Sequence, residues 1–357
     1  MAGGGAERQL TYLAAGLCAA DIEVHVALAA RGPNWSRLVA SGARIHELSA
    51  RGPHDPLLFV RLFTTIQSVD PDLVQVWLRQ MDVLGGLAAT ALRKPLILTE
   101  RASRAAYPPS VKHMLRRGVG RLADAIVSNS EQGERYWRGA GSRPRRCVIR
   151  NAVPVDEIAA APGADRIAAA DDRRLVLFAG RMEPQKNLET LLPALLLALG
   201  EEEFDVWFCG EGTQQSLVRE WIAANRLEPR AQLIGYTPEL WSLMKRASAL
   251  VSPAWFEGIP NVVLEAMACR CPLVVSDIPE HREILDEHTA VMVDPSSPVE
   301  LAAALRRVLS DPDAARARAD AAFARVERFR PAAMAGRYLD LYRSVLANSS
   351  ASRQAGA

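Results

Sequence analysis

The sequence has few of the features that mark secreted, metal-binding or membrane-spanning proteins. Its 357 residues include only five cysteines, whose spacing fits neither a disulfide framework nor a zinc site, so we expect reduced thiols in a cytoplasmic protein. The six histidines are scattered without ligand spacing, and we predict no metal site. No run approaches the ~20 apolar residues of a membrane-spanning helix. The start also lacks the basic and apolar regions of a signal peptide.

An excess of one charge sign is also missing from the chain as a whole. The 43 basic and 41 acidic residues give a net charge of +2, which argues neither for nor against a nucleic-acid partner. Residues 101–150 differ, because they carry twelve Lys or Arg but only three acidic residues. This stretch predicts a face of the first half that attracts anions or an acidic membrane surface.

Short β-branched runs alternate with helical patterns along the chain, which predicts α/β domains with mostly parallel sheets. A single core rarely grows beyond ~250–300 residues, so we expect two domains. The predicted parts are an N-terminal domain at 1–155, a linker at 156–174, a C-terminal domain at 175–330, a helix at 331–347 that packs back toward the N-terminal domain, and a flexible tail at 348–357.

The chain opens on glycines that lead into a helix, with no strand before them. A βα unit would place its first strand ahead of Gly3, Gly4 and Gly5. We therefore expect either that the first strand of the N-terminal sheet is missing or that the natural chain starts upstream of Met1. A missing strand would leave an unpaired gap at the centre of that sheet and lower its stability.

Two glutamates eight positions apart carry the most informative motif. Glu257 lies in a Gly/Pro turn after the apolar run 249–252, and Glu265 lies in a helix that begins near Asn261. In open α/β sheets, ligands bind beyond the carboxyl ends of the strands, where helix N-termini offer N–H groups to phosphate. Both carboxylates could therefore face one ligand, one near its anionic end and one further along it.

A second strand-to-helix turn supplies positive charge. Arg181 and Lys186 follow an apolar strand that ends at Gly180. A forked guanidinium and a mobile ammonium suit a diphosphate; two surface cations are the alternative, but the position after a strand and the glutamate motif favour the ligand site. Turns at Gly210 and Tyr236 could bring main chain near the same ligand, or be plain βα turns.

Together these motifs resemble the retaining nucleotide-sugar glycosyltransferases of family 4, which have the GT-B fold. The motifs are Gly-Gly-Ala-Glu-Arg, Gly-Arg-x4-Lys-Asn, Gly-Glu-Gly and Ser-Pro-x3-Glu-Gly-x-Pro-Asn-x3-Glu-Ala-Met-Ala-Cys, and the resemblance covers nearly the whole chain. It implies two Rossmann-like domains whose parallel sheets face each other across a cleft. It also implies a metal-independent, retaining hexosyltransferase.

The resemblance assigns roles to the residues of both motifs. Arg181 and Lys186 would bind the donor diphosphate, Glu257 the hydroxyls of the transferred sugar, and Glu265 the ribose. Further donor contacts would come from Gly4, Gly5, Gly180, Gly210, Tyr236, Gly258, Ile259, Pro260, Asn261 and Val262. By family frequency the donor would be a UDP-sugar, with GDP next. The nucleotide sugar is a substrate, so no cofactor is expected.

The N-terminal half departs from the family at one position. Many members carry a histidine after the fourth strand, where this chain reads Glu100-Arg101. Glu100 could orient an acceptor hydroxyl and Arg101 could hold an acceptor phosphate, or the two could form ion pairs with each other or with neighbours. The implied acceptor is a glycan or polyprenyl-linked glycan of cell-envelope polysaccharide synthesis, such as lipopolysaccharide.

A basic helical pattern follows in the same half. Lys112, Arg116, Arg117 and Arg121 recur at helical spacing among apolar residues. Such a helix could lie on anionic lipid headgroups, or it could be a solvated basic helix. We therefore expect a cytoplasmic enzyme that binds no nucleic acid and is peripheral on the inner face of the cytoplasmic membrane.

Two other functions share the predicted fold. A sugar-nucleotide epimerase of the GT-B fold would bind the same donor. A non-catalytic sugar-nucleotide-binding protein would fit the missing strand and the missing histidine. A Rossmann oxidoreductase is disfavoured, because no Gly-x-Gly-x-x-Gly follows a strand with an acidic residue ~20 positions later.

Overall fold

The computed structural model describes residues 5–49, 52, 55, 57–103, 105, 107, 110–139, 141, 144–163 and 173–354, with the backbone alone for 350–354. The chain forms two compact units, Met1–Ala152 with Pro331–Ala357, and Val153–Arg330. All strand pairings between the described residues are parallel. The predicted α/β class with parallel sheets in two domains is therefore confirmed.

The first unit has its strands in two separate sheets. One sheet pairs β1 with β2, and the other has the order β3-β4-β5-β6. The strands are β1 (His25–Leu28), β2 (Arg44–Glu47), β3 (Val74–Val76), β4 (Leu96–Glu100), β5 (Ala125–Ser128) and β6 (Arg145–Val148). Within the described part of the chain no strand is hydrogen-bonded to both sheets.

Helices pack on these sheets through apolar faces. They are α1 (Gly5–Cys18), α2 (Trp35–Ala40), α3 (Leu57–Val69), α4 (Arg79–Ala91), α5 (Val111–Leu122) and α6 (Glu131–Tyr136). Serine N-caps start the last two, since Ser110 Oγ accepts from His113 N and Ser130 Oγ accepts from Gly133 N. Both helices thereby begin at defined residues beside the four-stranded sheet.

The second unit contains one sheet of order β12-β11-β10-β7-β8-β9. Its strands are β7 (Arg174–Ala179), β8 (Phe204–Cys209), β9 (Ala231–Gly235), β10 (Ala249–Ser252), β11 (Leu273–Ser276) and β12 (Val291–Val293). Alternate residues of β7 enter two different apolar clusters, Val176 and Phe178 in one and Leu175 and Leu177 in the other. Both faces of the sheet are therefore covered, which explains the continuous apolar runs of its strands.

The helices of the second unit are α7 (Val155–Ala160), α8 (Leu188–Leu199), α9 (Gln215–Ala224), α10 (Leu240–Arg246), α11 (Asn261–Ala268), α12 (Pro279–Arg282), α13 (Pro298–Ser310) and α14 (Pro312–Ala324). Helix α7 covers the first part of the segment 156–174 that was expected to be a linker, and it packs on α11 of the second unit. The carboxyl ends of the adjacent strands β8, β7 and β10 define the edge where ligands bind in such sheets.

The last helix, α15 (Pro331–Gln354), returns to the first unit and packs against α1. Tyr338 is its most buried side chain, in a cluster with Leu13 and Leu17. The expected tail at 348–357 is helical as far as Gln354. Its Ser, Ala, Arg and Gln residues tolerate a helix, and no Gly or Pro interrupts the sequence before Gly356.

Candidate functional site

The turn after β7 is tied to the loop after β8. Gly180 N donates to Cys209 O, and Met182 N donates to Glu211 O, each at 2.9 Å. The loop lies so close that a Cβ on Gly210 would be 2.0 Å from Gly180 O, and one on Gly212 would be 2.4 Å from Met182 O. Both glycines also have positive φ, 126° and 159°. Glycine is therefore required at these two positions for the turns to meet.

The cation-bearing turn ends at Asn187, which begins α8. This residue is left-handed (φ 59°, ψ 46°), and its Oδ1 accepts from Thr190 N at 3.3 Å. Its Nδ2 donates to Pro253 O at 3.0 Å and to Pro295 O at 2.7 Å. One buried amide thus caps a helix and holds the turn after β10 beside the turn after β7.

The two turns bring Lys186 and Glu257 into contact. Trp255 N donates to Gln185 O at 2.9 Å, which aligns the turns. Lys186 Nζ then forms an ion pair with Glu257 Oε1, although the two residues are 71 positions apart. Their side chains are only 12% and 9% exposed, so the pair is largely withdrawn from water. The residue predicted to bind the diphosphate, Lys186, therefore contacts the residue predicted to bind the sugar, Glu257.

Arg181 completes the positive side of this site. Its side chain is exposed. In contrast to that of Lys186, the Arg181 side chain forms no hydrogen bond or ion pair with the residues that the structure describes. A guanidinium of this kind can turn toward an anionic ligand without breaking an internal bond.

The second glutamate of the motif is held by an indole. Glu265 lies in α11, is 3% exposed, and accepts a hydrogen bond on Oε2 from Trp241 Nε1 at 3.0 Å. Trp241 belongs to α10, the helix that precedes β10. Trp241 gives no signal in the sequence alone, because a tryptophan in a helical pattern looks like a core residue. This donor fixes one carboxylate oxygen of Glu265.

The remaining predicted donor contacts lie at the same strand edge or outside the unit. Gly258, Ile259 and Pro260 precede α11, and Asn261 and Val262 form its first turn, while Tyr236 follows β9 and is 68% exposed. Gly5 begins α1 in the first unit. Gly4 lies outside the described residues. The strand ends of the second unit therefore carry most of the predicted donor set.

Glu100 occupies a different environment, at the end of β4 in the first unit. Its side chain is fully buried. Oε1 accepts from Arg101 N at 2.9 Å, Ala102 N at 3.0 Å and the Tyr107 hydroxyl. Oε2 accepts from Arg116 Nη1 at 2.7 Å and from Trp137 Nε1 at 3.1 Å. The structure thus shows the ion pair with a neighbour; the acceptor role of Glu100 stays a prediction.

Arg101 is oriented by three neighbours in the same unit. Its Nη1 donates to Asn151 Oδ1 at 3.0 Å, and its Nη2 donates to the Tyr338 hydroxyl at 2.8 Å. The guanidinium carbon lies 3.9 Å from the ring centroid of Trp77. The buried Nε has no hydrogen-bond partner among the described residues. These three contacts fix the orientation of the guanidinium.

Arg116 corrects the predicted basic face. It is 1% exposed and lies between Glu100 and Asp82, with Nε 2.7 Å from Asp82 Oδ2. Burial raises the pKa of Asp82 to about 7. Arg117 is also engaged, because its Nη1 donates to Tyr136 O at 2.7 Å. Arg116 therefore cannot contact lipid headgroups.

The exposed face of α5 is more apolar than predicted. Val111, Met114 and Leu115 are 67%, 66% and 54% exposed, and Lys112 and Arg121 are exposed beside them. No described helix is long and apolar enough to cross a membrane. The exposed residues of α5 combine an apolar stripe with positive charge, as interfacial helices do.

The described residues contain no group of three His, Cys, Asp or Glu side chains that could hold a metal ion. The five cysteines are free thiols, and burial raises the pKa values of Cys209 and Cys269 to about 12. These thiols are therefore poor nucleophiles and poor metal ligands at neutral pH. The chemistry of the site rests on the cations and carboxylates described above.

Two family models match the chain. Residues 3–157 match the model "Glycosyltransferase Family 4", and residues 164–325 match "Glycosyl transferases group 1". Among solved structures, Anabaena Alr3699/HepE in complex with UDP-glucose has a TM-score of 0.82 at 21% identity, covering 96% of each chain. Sucrose-phosphate synthase from Thermosynechococcus elongatus has a TM-score of 0.78 at 23% identity, covering 97% of this chain and 94% of that one.

Curated relatives are also glycosyltransferases. A glycogen synthase of Mycobacterium tuberculosis is 34% identical over 59% of this chain and 51% of its own length. A D-inositol 3-phosphate glycosyltransferase of Thermobispora bispora is 27% identical over 67% of this chain and 60% of its own. The chain thus spans between half and two thirds of these two relatives. It belongs to glycosyltransferase family 4, and its two α/β units are the domains of a GT-B fold.

Proposed function

We propose that this glycosyltransferase transfers a sugar, with retention of configuration, from a UDP-sugar to a hydroxyl of a glycan or lipid-linked glycan in cell-envelope polysaccharide synthesis. The contact of Lys186 with Glu257, beside the exposed Arg181, carries the proposal. It places a paired cation, an available cation and a carboxylate at one strand edge. UDP-glucose in the similar HepE structure supports the donor class.

The cations would act on the leaving group. A departing diphosphate gains negative charge in the transition state, and fixed positive charge near it lowers the barrier. Glu257 neutralises Lys186 and holds its ammonium in place. A bound diphosphate would compete for Lys186 and recruit Arg181, so neither step needs a metal ion. Glu257 would then accept hydrogen bonds from sugar hydroxyls.

Retention would follow from the position of the leaving group. The departing phosphate oxygen would take the proton of the acceptor hydroxyl on the same face of the sugar. No side chain is then needed as a nucleophile, and Glu257 orients the sugar without attacking it. An orienting role fits a carboxylate that is bonded to a cation, as Glu257 is to Lys186.

Glu265 would hold the ribose of the nucleotide. Trp241 occupies its Oε2, so the carboxylate is oriented before the nucleotide arrives. Preorganisation of this kind improves affinity because less freedom is lost on binding. Tyr236, which is 68% exposed after β9, would lie toward the base.

Trp241→Phe is expected to weaken UDP binding about tenfold, because one hydrogen bond to a charged group, about 1.5–3 kcal/mol, is lost. Calorimetric titration with UDP measures the change. Trp221→Phe is the matched control, because the buried Trp221 Nε1 has no partner among the described residues. Equal UDP affinity in Trp241→Phe and wild type would contradict the assigned role of Glu265.

The acceptor side belongs to the first unit. Arg101 would bind an acceptor phosphate, while Asn151 and Tyr338 hold its guanidinium in place. A Campylobacter jejuni relative, 23% identical over 86% of each chain, is named for transfer to a GalNAc-containing, undecaprenyl-diphosphate-linked glycan. That name supports a lipid-linked diphosphate as the acceptor class.

The exposed face of α5 would bind the anionic surface that carries such an acceptor. Its apolar residues would enter the headgroup region, and Lys112 and Arg121 would contact lipid phosphates. The sequence predicts a membrane-binding face with four cations. The proposed face keeps two of them, Lys112 and Arg121, beside an apolar stripe. It places the enzyme at the cytoplasmic surface of the membrane.

The double substitution Met114→Glu/Leu115→Glu is expected to lower vesicle binding at least tenfold, because two apolar side chains become charged. Co-sedimentation with phosphatidylglycerol-containing vesicles measures it. Val299→Glu changes an equally exposed apolar residue of the second unit and should bind vesicles like wild type. Unchanged binding by the double variant would refute the α5 surface.

A thermal-shift panel of nucleotide sugars tests the proposed function. A donor at 100 times its dissociation constant should stabilise the protein by about 2.7 kcal/mol. Release of UDP that depends on an added acceptor would identify transfer. Epimerised nucleotide sugar without release would indicate the epimerase, and binding without either reaction would indicate a non-catalytic binding protein.

A further inference from the structure

A buried histidine is linked through one residue to the turn that carries Glu257. His281 is in α12, the short helix that follows β11, and it is completely buried. Its Nδ1 is 2.7 Å from Ser276 O. A carbonyl oxygen can only accept, so Nδ1 carries the proton and Nε2 has the lone pair. The buried Nε2 has no partner among the described residues.

Ser276, which accepts the hydrogen bond of His281, also binds the segment that carries Glu257. Ser276 Oγ donates to Ala254 O at 2.6 Å. Ala254 lies three positions before Glu257, and β10 and β11 are neighbouring strands. With the bonds to Pro253 and Trp255 described above, this is a third attachment of the same turn.

The electrostatic surroundings connect His281 with the ion pair. Burial lowers the pKa of His281; Glu257 and Asp277 favour its charged form, and Lys186 opposes it. The imidazole therefore stays neutral while it lies in the field of both members of the pair. An apolar side chain could fill the same space without burying an unpaired nitrogen, so packing alone does not explain a histidine here.

We propose that His281 is a positioning residue for Glu257. Its Nδ1–H holds Ser276, and Ser276 holds the turn from Pro253 to Glu257 at the place where the sugar hydroxyls bind. The inference rests on the proposed donor site. It adds a residue that acts on the transferred sugar through Glu257 and not on the nucleotide.

The test compares two measurements that a merely structural role would change together. His281→Phe removes the N–H and should lower kcat/KM for transfer at least tenfold. UDP has no sugar to contact Glu257, so its affinity should change less than twofold. His281→Asn keeps an N–H near the position of Nδ1 and should recover most of the transfer rate. Ser276→Ala should reproduce the effect of His281→Phe.

A double-mutant cycle isolates the route of the effect. In a Glu257→Gln background, His281→Phe should cause no further loss, because it acts through Glu257. His288→Phe changes an exposed histidine and should match wild type in both measurements. Equal losses of UDP affinity and transfer, or additive losses with Glu257→Gln, would overturn the inference. Nucleotide sugars that neither bind to nor react with the wild type would overturn the proposed function as well.

Discussion

Replacement of Lys186 by alanine is expected to lower transfer by about 10²–10³-fold, the usual loss for one removed donor of an electrostatic site. The ammonium is the fixed cation of the site and is paired with Glu257. The folded state should survive with a lower melting temperature, because main-chain and Asn187 bonds still hold the turn while the largely buried Glu257 loses its cation. Steady-state kinetics and the melting temperature measure the two effects.

A matched lysine separates this effect from a general loss of charge. Lys94 pairs with Asp70 in the first unit and lies in no proposed site. Lys94→Ala should keep full transfer activity. Transfer that is unchanged in Lys186→Ala would refute the diphosphate assignment. Arg181→Lys should also be costly if the forked guanidinium is used, because a lysine cannot make two parallel hydrogen bonds.

Arg116→Met is expected to destabilise the first unit by about 3–5 kcal/mol, since it leaves Glu100 and Asp82 as buried carboxylates without their cation. Arg116 bonds both side chains and is 1% exposed. Urea unfolding followed by a probe in the first unit measures the change. Arg116, Glu100 and Asp82 lie outside the donor site, so stability and not the transfer rate is the quantity to measure.

Two variants test the cause of that loss. Arg121→Met removes an exposed arginine of the same helix and should change stability by less than about 0.5 kcal/mol. Adding Asp82→Asn to Arg116→Met should restore part of the stability, because it replaces a buried carboxyl group that has lost its cation with an uncharged amide. A loss in Arg116→Met no larger than in Arg121→Met would mean that the cluster is not a structural ion pair.

The strand-to-helix turns show what the sequence could predict. The predicted donor-binding side chains follow closely after apolar strands, and the carboxyl ends of parallel strands lie at one edge of the sheet. These side chains are Arg181, Lys186, Glu257 and Glu265. The location of the site and the fold class follow from those local patterns. The ion pair between Lys186 and Glu257 does not, because it depends on how two turns approach each other.

The residues that support the site could not be predicted from local sequence patterns. Asn187, Trp241 and His281 act through partners that are distant in the sequence or lie in other elements. Helical spacing grouped Arg116 with exposed cations, because a basic residue on a helix is normally solvated. Its burial depends on Asp82 and Glu100, which come from another helix and a strand.

The central claim is that Lys186 and its neighbours bind the diphosphate of a nucleotide sugar, and calorimetric titration of UDP and UMP tests it most directly. Wild type should bind UDP more tightly than UMP, because the second phosphate contacts the cations. Lys186→Ala should lose most of that preference while its UMP affinity stays close to wild type. An unchanged preference for UDP over UMP in Lys186→Ala would contradict the account.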